Sequence, residues 1–161
     1  MRTKILLLLT LLISLQSLAQ SGIKAMGFVQ EEAPGMVPRE TGEPKSKPHQ
    51  EHYIFLSIPK GKTVQPVEIW IRGEAYSLRR EIVKPPVFAP KGALGKPQLM
   101  VSQTGNVIMK LTPLPYAKGK IFTRAREKAK ANELVVVYRL NNTYFSATQK
   151  ELTRLETRDS Q

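Results

Sequence analysis

The sequence predicts an all-β fold, namely an immunoglobulin-like antiparallel β-sandwich of about seven strands. Two observations lead to this prediction. Short runs rich in valine, isoleucine, tyrosine and phenylalanine, residue types favoured in strands, recur between residues 53 and 147. Turn-forming residues separate these runs at the intervals expected of a sandwich, and no long amphipathic helix pattern competes with them.

The first predicted strands lie between residues 53 and 82. Residues 53–58 are apolar on both faces and end at a Pro-Lys-Gly turn, which indicates a buried strand. Residues 67–72 and 76–82 alternate apolar with polar side chains on either side of Gly73. This pattern predicts a hairpin with one buried face and one face in solvent.

Two further hairpins are predicted nearer the C-terminus. The prolines of residues 84–97 exclude a central strand there, because proline has no amide donor. Residues 99–102 and 107–111 then flank a Thr-Gly-Asn turn. Residues 134–140 and 143–147 flank an Asn-Asn pair, which tolerates the positive φ angles of a tight turn.

A short C-terminal helix is predicted after the last strand. Thr148 and Glu151 have the spacing of a capping box, and Leu152 and Leu155 would lie on one side of that helix. The alternative is that the same residues continue the last strand.

Residues 1–19 have the pattern of a secretory signal peptide. Arg2 and Lys4 precede the leucine-rich run 5–12, and Ser17-Leu18-Ala19 places small residues before a cleavage site at Gln20. The apolar run is shorter than the roughly 20 residues of a membrane span, so we expect no transmembrane segment after cleavage. The expected location is periplasmic, extracellular or at the cell surface.

The mature chain is predicted to have two parts. Residues 20–52 contain recurring prolines and glycines with few apolar residues, which predicts a flexible tether. Residues 53–161 are predicted to form the folded domain. This part holds nineteen Lys and Arg against eight acidic residues, a net charge of +11 that favours acidic partners.

The segment 118–130 concentrates this charge. In a strand its basic residues would form a cationic ladder on one face, and in a helix several would become like-charged neighbours four residues apart. Either arrangement predicts a partner-binding surface, and the alternative is a solvated edge. The basic residues are Lys118, Lys120, Arg124, Arg126, Lys128 and Lys130.

Trp70 and Arg72 are candidate additions to the binding surface. Trp70 has the opposite parity to Ile69 and Ile71, so it faces outward if those two face the core. An outward tryptophan beside Arg72 would anchor a sugar or a protein. The alternatives are that Trp70 packs under the proline-rich loop or that the sheet is covered on both sides.

The residue types needed for most catalysis are missing from the predicted domain. The chain has no cysteine, and residues 53–158 contain neither histidine nor aspartate. His49 and His52 fall in the predicted tether, where a loosely held metal is the less favoured interpretation. We therefore expect no enzymatic activity, metal or cofactor. A glycan-active enzyme that uses two glutamates is a less favoured alternative.

These observations predict an exported, non-catalytic interaction or adaptor domain. Its expected partner is an acidic protein or an anionic glycan or lipid headgroup of the cell envelope. Nucleic acid is not expected, because Phe122 alone supplies aromatic character within the basic segment. The alternative is a structural subunit of an envelope or surface assembly, which would run as an oligomer.

Overall fold

The computed structural model describes residues 22–33, 49–90, 96–115 and 122–159, which form eleven strands and one short helix. The strands are β1 (Lys24–Ala33), β2 (His49–Ile58), β3 (Gln65–Ile71), β4 (Glu74–Val83), β5 (Val87–Phe88), β6 (Leu99–Val101), β7 (Val107–Leu114), β8 (Leu134–Leu140), β9 (Thr143–Gln149), β10 (Thr153–Arg154) and β11 (Arg158–Asp159). The helix α1 spans Thr123–Ala129.

The chain is an all-β protein, and the predicted fold class is confirmed. One curled sheet contains the strands in the order β10-β1-β2-β7-β4-β3-β8-β9, with β11 also beside β1, while β5 and β6 form a separate ribbon. The short β10 and β11 run parallel to β1, and the other pairs are antiparallel.

The predicted immunoglobulin-like sandwich is not confirmed, because a single strand joins what would be two sheets. Residues 74–76 of β4 pair with β3, whereas residues 77–83 of the same strand pair with β7. Hydrogen bonding therefore runs continuously from β9 to β10, and the sheet curls around its own core.

The inner face of the curled sheet holds the main hydrophobic core. Alternate side chains of β2, β3, β7 and β8 point into it, as the two-residue period of a strand requires. Its most deeply buried members include Ile54, Leu56, Ile69, Leu111, Val136 and Tyr138.

Two layers cover the outer face of the sheet. The β5–β6 ribbon packs Ala89, Met100 and Val101 over the aromatic side chains of β1 and β2. The helix α1 packs over β3 and β8 in a third cluster. This double coverage explains why the runs 53–58 and 134–138 are apolar on both faces.

The hairpins are confirmed in two of the three predicted places. β3 and β4 join through Arg72-Gly73, and β8 and β9 join through Asn141-Asn142, with positive φ at all four turn residues. The predicted pairing of residues 99–102 with 107–111 is wrong. β6 pairs with β5 in the outer ribbon, and β7 lies between β2 and β4 in the main sheet.

The prediction of a tether over residues 20–52 is wrong for residues 24–33 and 49–52, which are strand residues of β1 and β2. Ile23 and Val29 are buried in the main core, so this segment contributes to the domain that was expected to begin at Tyr53. Residues 34–48 and the predicted signal peptide 1–19 lie outside the described residues.

The predicted C-terminal helix is also wrong. Leu152 is buried in the core, and its backbone N–H donates to Glu133 Oε2 over 2.7 Å. The N–H of Leu155 donates to the carbonyl oxygen of Val29 over 2.9 Å. These donors bond to distant parts of the chain instead of the preceding helical turn. Residues 152–159 therefore form an extended C-terminal strap along β1.

Candidate functional site

The basic segment forms a helix where it is described. Ala125 and Ala129 lie one turn apart and are buried against the outer face of β3 and β8, where Trp70, Val135 and Val137 meet them. Small side chains let the helix approach the sheet closely. Of the predicted binding residues, Lys118 and Lys120 lie outside the described residues.

Four basic residues of this segment are exposed around α1. Because side chains four residues apart share one side of a helix, Arg124 and Lys128 form one flank, and Arg126 and Lys130 form the other. Lys128 Nζ donates to Ser146 Oγ, which places the first flank beside β9. These two pairs are the like-charged neighbours that the helical alternative predicted.

The charges of α1 have opposing effects on the stability of the helix, because Arg126 and Lys128 in its last turn complement the helix dipole while the like-charged pairs repel each other. Phe122 at the N-cap makes no side-chain capping hydrogen bond, and the first turn contains no acidic residue to complement the helix dipole. Lys130 Nζ lies 3.0 Å from Glu127 Oε2, but both side chains are about two-thirds exposed, at 67% and 66%. Such a pair contributes at most about 1 kcal/mol.

Two exposed aromatic side chains of β9 point to opposite faces of the sheet, Tyr144 beside the Arg124–Lys128 flank and Phe145 on the core side. The ring of Tyr144 is 51% exposed, and its centroid lies 4.8 Å from that of Phe122. Phe145 is 37% exposed and stacks on Tyr138. No role was predicted for these two residues, although an aromatic pair directly after the Asn141-Asn142 turn is visible in the sequence.

Trp70 does not form part of the exposed surface. Its side chain is only 4% exposed, lies beneath α1, and donates its Nε1–H to Glu68 Oε1. The prediction of an outward-facing anchor is therefore wrong, although the parity argument was right about the face. The sheet is covered on both sides at this point, as one of the alternatives stated.

Arg72 is exposed but belongs to a second polar cluster. Its Nε lies 3.2 Å from Glu133 Oε1, and its Nη1 donates to Gln50 Oε1 over 2.9 Å. Glu133 Oε2 accepts the backbone N–H of Leu152, and this bond, together with Arg72, lowers the pKa of Glu133. Arg72 therefore connects β2, β8 and the C-terminal strap and is not free to join the cations of α1.

His52 lies beside this cluster, on β2. Its Nε2 is buried without a hydrogen-bond partner among the described residues. Burial and then the charge of Arg72 lower the pKa of His52. The premise that both histidines lie outside the folded domain is therefore wrong, and the lowered pKa favours the neutral form of His52.

The two histidines do not form a metal site. His49 and His52 are three residues apart on a strand, so their side chains point to opposite faces of the sheet. Across the described ranges, no group of three or more His, Cys, Asp or Glu side chains could hold a metal ion. Within the same ranges, no helix has the length and hydropathy needed to cross a membrane.

The chain matches no protein-family model, and no significant similarity to a curated protein or to a solved structure is found. The chemistry of its own surface is therefore the basis for assigning a function. That surface includes the exposed cations around α1 and the exposed Tyr144 of the adjoining strand β9.

Proposed function

We propose that the protein is an exported, non-catalytic interaction module that binds an acidic partner of the cell envelope through α1. The observation that supports this proposal is the arrangement of Arg124, Arg126, Lys128 and Lys130. All four are exposed around one short helix, and Glu127 is the single acidic side chain among them.

These charges contribute little net stability to the helix, which leaves them available for binding. Cations four residues apart repel each other by a few tenths of a kcal/mol, and Arg126 and Lys128 in the last turn regain a similar amount from the helix dipole. An anionic partner removes the repulsion and is attracted over a distance of about 10 Å at 0.1 M salt. The partner class is an acidic protein or an anionic glycan or lipid headgroup.

Retention of the purified protein on an anionic matrix tests this proposal. The test variant carries Arg124→Glu, Arg126→Glu, Lys128→Glu and Lys130→Glu. The matched control carries Lys24→Glu, Lys60→Glu, Lys84→Glu and Lys96→Glu, which are exposed residues outside α1 with the same change in net charge. Circular dichroism and thermal unfolding establish that both variants fold.

We expect the wild-type protein to elute only at raised salt, the α1 variant to elute at low salt, and the control to stay close to the wild type. Equal losses in the two variants would show that net charge alone determines retention. That result would contradict a binding role specific to α1.

A further inference from the structure

We infer that the free edge of β9 binds an extended acidic segment of a partner protein as an added strand, beside the Arg124–Lys128 flank of α1. This inference rests on the proposed function and names the partner class and the geometry of binding. It combines three observations: an unpaired strand edge, a cationic helix flank on the outer face of that edge, and the exposed side chain of Phe145 on its inner face.

The first observation is that β9 is an edge strand. It pairs with β8 on one side, and among the described residues no strand pairs with its other side. The edge consists of Thr143–Gln149, whose sequence TYFSATQ contains no charged residue and no proline. Charged residues and prolines usually prevent an edge strand from pairing with another strand, and β9 has neither.

The backbone groups available on this edge follow from the hairpin. Leu140 and Thr143 flank a two-residue turn with positive φ at both positions, so they form a hydrogen-bonded pair. Such pairs alternate along an antiparallel ladder. The N–H and C=O groups of Tyr144 and Ser146 therefore point away from β8 and are available to a new strand. The C-terminal end of β9 instead approaches β1, where Gln149 bonds to the backbone of Gly27.

The second and third observations define the side chains that this new strand should carry. On the outer face of the sheet, Lys128 reaches Ser146, and Arg124 lies one helical turn before Lys128. Acidic side chains on that face of the partner strand would meet these cations. On the opposite face, the side chain of Phe145, which is about one-third exposed, favours an apolar side chain.

A second copy of the chain would not fit this edge well, because its own α1 carries the same positive charge. Two β9 strands pairing about a two-fold axis would keep both α1 helices on one face of the joined sheet. The two Arg124–Lys128 flanks would then approach each other with like charge. The positive charge of the helix thus disfavours self-pairing and favours an acidic strand. Such charge complementarity selects the partner at a strand-addition site.

Fluorescence anisotropy with the purified protein and a labelled peptide of about ten residues tests the inference. The probe alternates glutamate with valine, so that all glutamates share one face of an extended strand. Two control peptides have the same composition. One is scrambled so that glutamates fall on both faces, and the other is N-methylated along its central backbone.

Two double variants of the same helix provide a matched protein control. Arg124→Glu with Lys128→Glu reverses the flank beside β9, and Arg126→Glu with Lys130→Glu reverses the other flank with the same change in net charge. We expect the first pair to weaken binding of the alternating peptide at least about tenfold and the second to change it by less than about threefold. Both control peptides should bind at least about tenfold more weakly.

Three results would overturn the inference. The first is equal binding of the scrambled or N-methylated peptide, since attraction would then depend on charge without strand pairing. The second is retention on the anionic matrix without any binding of the alternating peptide, which leaves the proposed function standing. The third is a stable dimer in sedimentation that Tyr144→Lys dissociates, because β9 would then be occupied by a second copy.

Discussion

Gly27 is the residue at which the strap, the core and the first strand meet most closely. Its N–H donates to Gln149 Oε1 over 2.6 Å, and its carbonyl oxygen accepts from Gln149 Nε2 over 3.2 Å. A Cβ atom at this position would collide with Leu152 and would lie 2.7 Å from Leu134 Cδ2. A larger residue here would force the buried side chains of Leu134 and Leu152 to shift.

The change Gly27→Ala should therefore destabilise the domain. Overpacking of a filled core costs about 1–3 kcal/mol, and we expect a loss of that size in the free energy of unfolding. Urea denaturation measures it. The matched control is Gly105→Ala, where a Cβ would meet no atom within 4 Å, so stability should change little. Equal stability of the two variants would contradict the close packing around Gly27.

His52 and Glu133 make the stability of the fold dependent on pH. The pKa of His52 is lowered, so the unfolded chain binds a proton more readily than the folded chain once pH falls below the ordinary value of 6.5. The pKa of Glu133 is also lowered, so its stabilising contribution is present above its ordinary value of 4.5 and is lost as pH falls through the folded-state pKa. Both effects reduce the free energy of unfolding on acidification.

The change His52→Gln should reduce the loss of folding stability that occurs as pH falls below 6.5. We expect the wild-type protein to lose stability as pH falls below 6.5 and the variant to lose less over the same interval. Chemical denaturation at several pH values measures both. His49→Gln serves as the control, since His49 lies on the opposite face of β2. A variant with the same pH profile as the wild type would show that His52 does not titrate between the folded and unfolded states.

At the scale of the element, α1 acts as the cover of the outer face of the sheet, and Trp70 reports its position. Trp70 is the single tryptophan of the chain and is buried against Ala125 and Ala129. Its fluorescence should therefore emit at short wavelength and resist quenching by acrylamide. Ala125→Glu with Ala129→Glu should shift the emission to longer wavelength, because two carboxylates cannot remain in that apolar layer.

A tryptophan emission spectrum of the wild-type protein like that of a solvent-exposed side chain would contradict the burial of Trp70 beneath α1. The matched control for the double variant is Arg126→Glu with Lys130→Glu, which adds two carboxylates to the same helix on its exposed side. The emission of this control should be unchanged.

The elements differ in how well the sequence predicted them, and the reasons are physical. β8 and β9 were predicted with nearly correct bounds because Asn141-Asn142 is a strong turn signal between β-branched runs. β1 was missed because prolines and glycines surround it, and the contacts that order it come from Leu152 and Leu134, far along the chain. The C-terminal helix was wrongly predicted because its capping pattern is local, whereas its backbone donors bond to distant acceptors.

The candidate surface was predicted in part for similar reasons. The cations of α1 are visible in the sequence as a charged run, and their exposure follows from the burial of Ala125 and Ala129 between them. The sequence did not show that Trp70 and Arg72 lie outside that surface. It depends on which face α1 covers and on the pairing of Arg72 with Glu133, and both are tertiary contacts.

At the scale of the whole molecule, the strand order explains why a sandwich was a reasonable but unconfirmed expectation. The pattern of β4 predicts one buried and one solvated face, yet nothing in it tells that its two halves pair with different strands. Backbone pairing carries no side-chain signature, so a continuous curled sheet and two packed sheets look alike in sequence.

The predicted signal peptide, residues 1–19, leads to a further prediction for the whole molecule. If residues 1–19 are a signal peptide, the protein recovered from the periplasm or medium should begin at Gln20. N-terminal sequencing of fractionated cells measures this, and substitution of Ala19 by a bulky residue should retain the leader. A protein that stays in the cytoplasm with Met1 intact would contradict export.

The proposed function of the whole molecule requires that the cations of α1 bind an acidic partner. Titration of the protein with labelled poly-glutamate at NaCl concentrations from about 50 mM to about 500 mM tests it most directly, because screening weakens charge contacts over that range. We predict that wild type and the four-lysine control bind with an affinity that falls as salt rises. The α1 variant should bind weakly at every salt concentration, and an α1 variant that binds as tightly as the control would contradict the account.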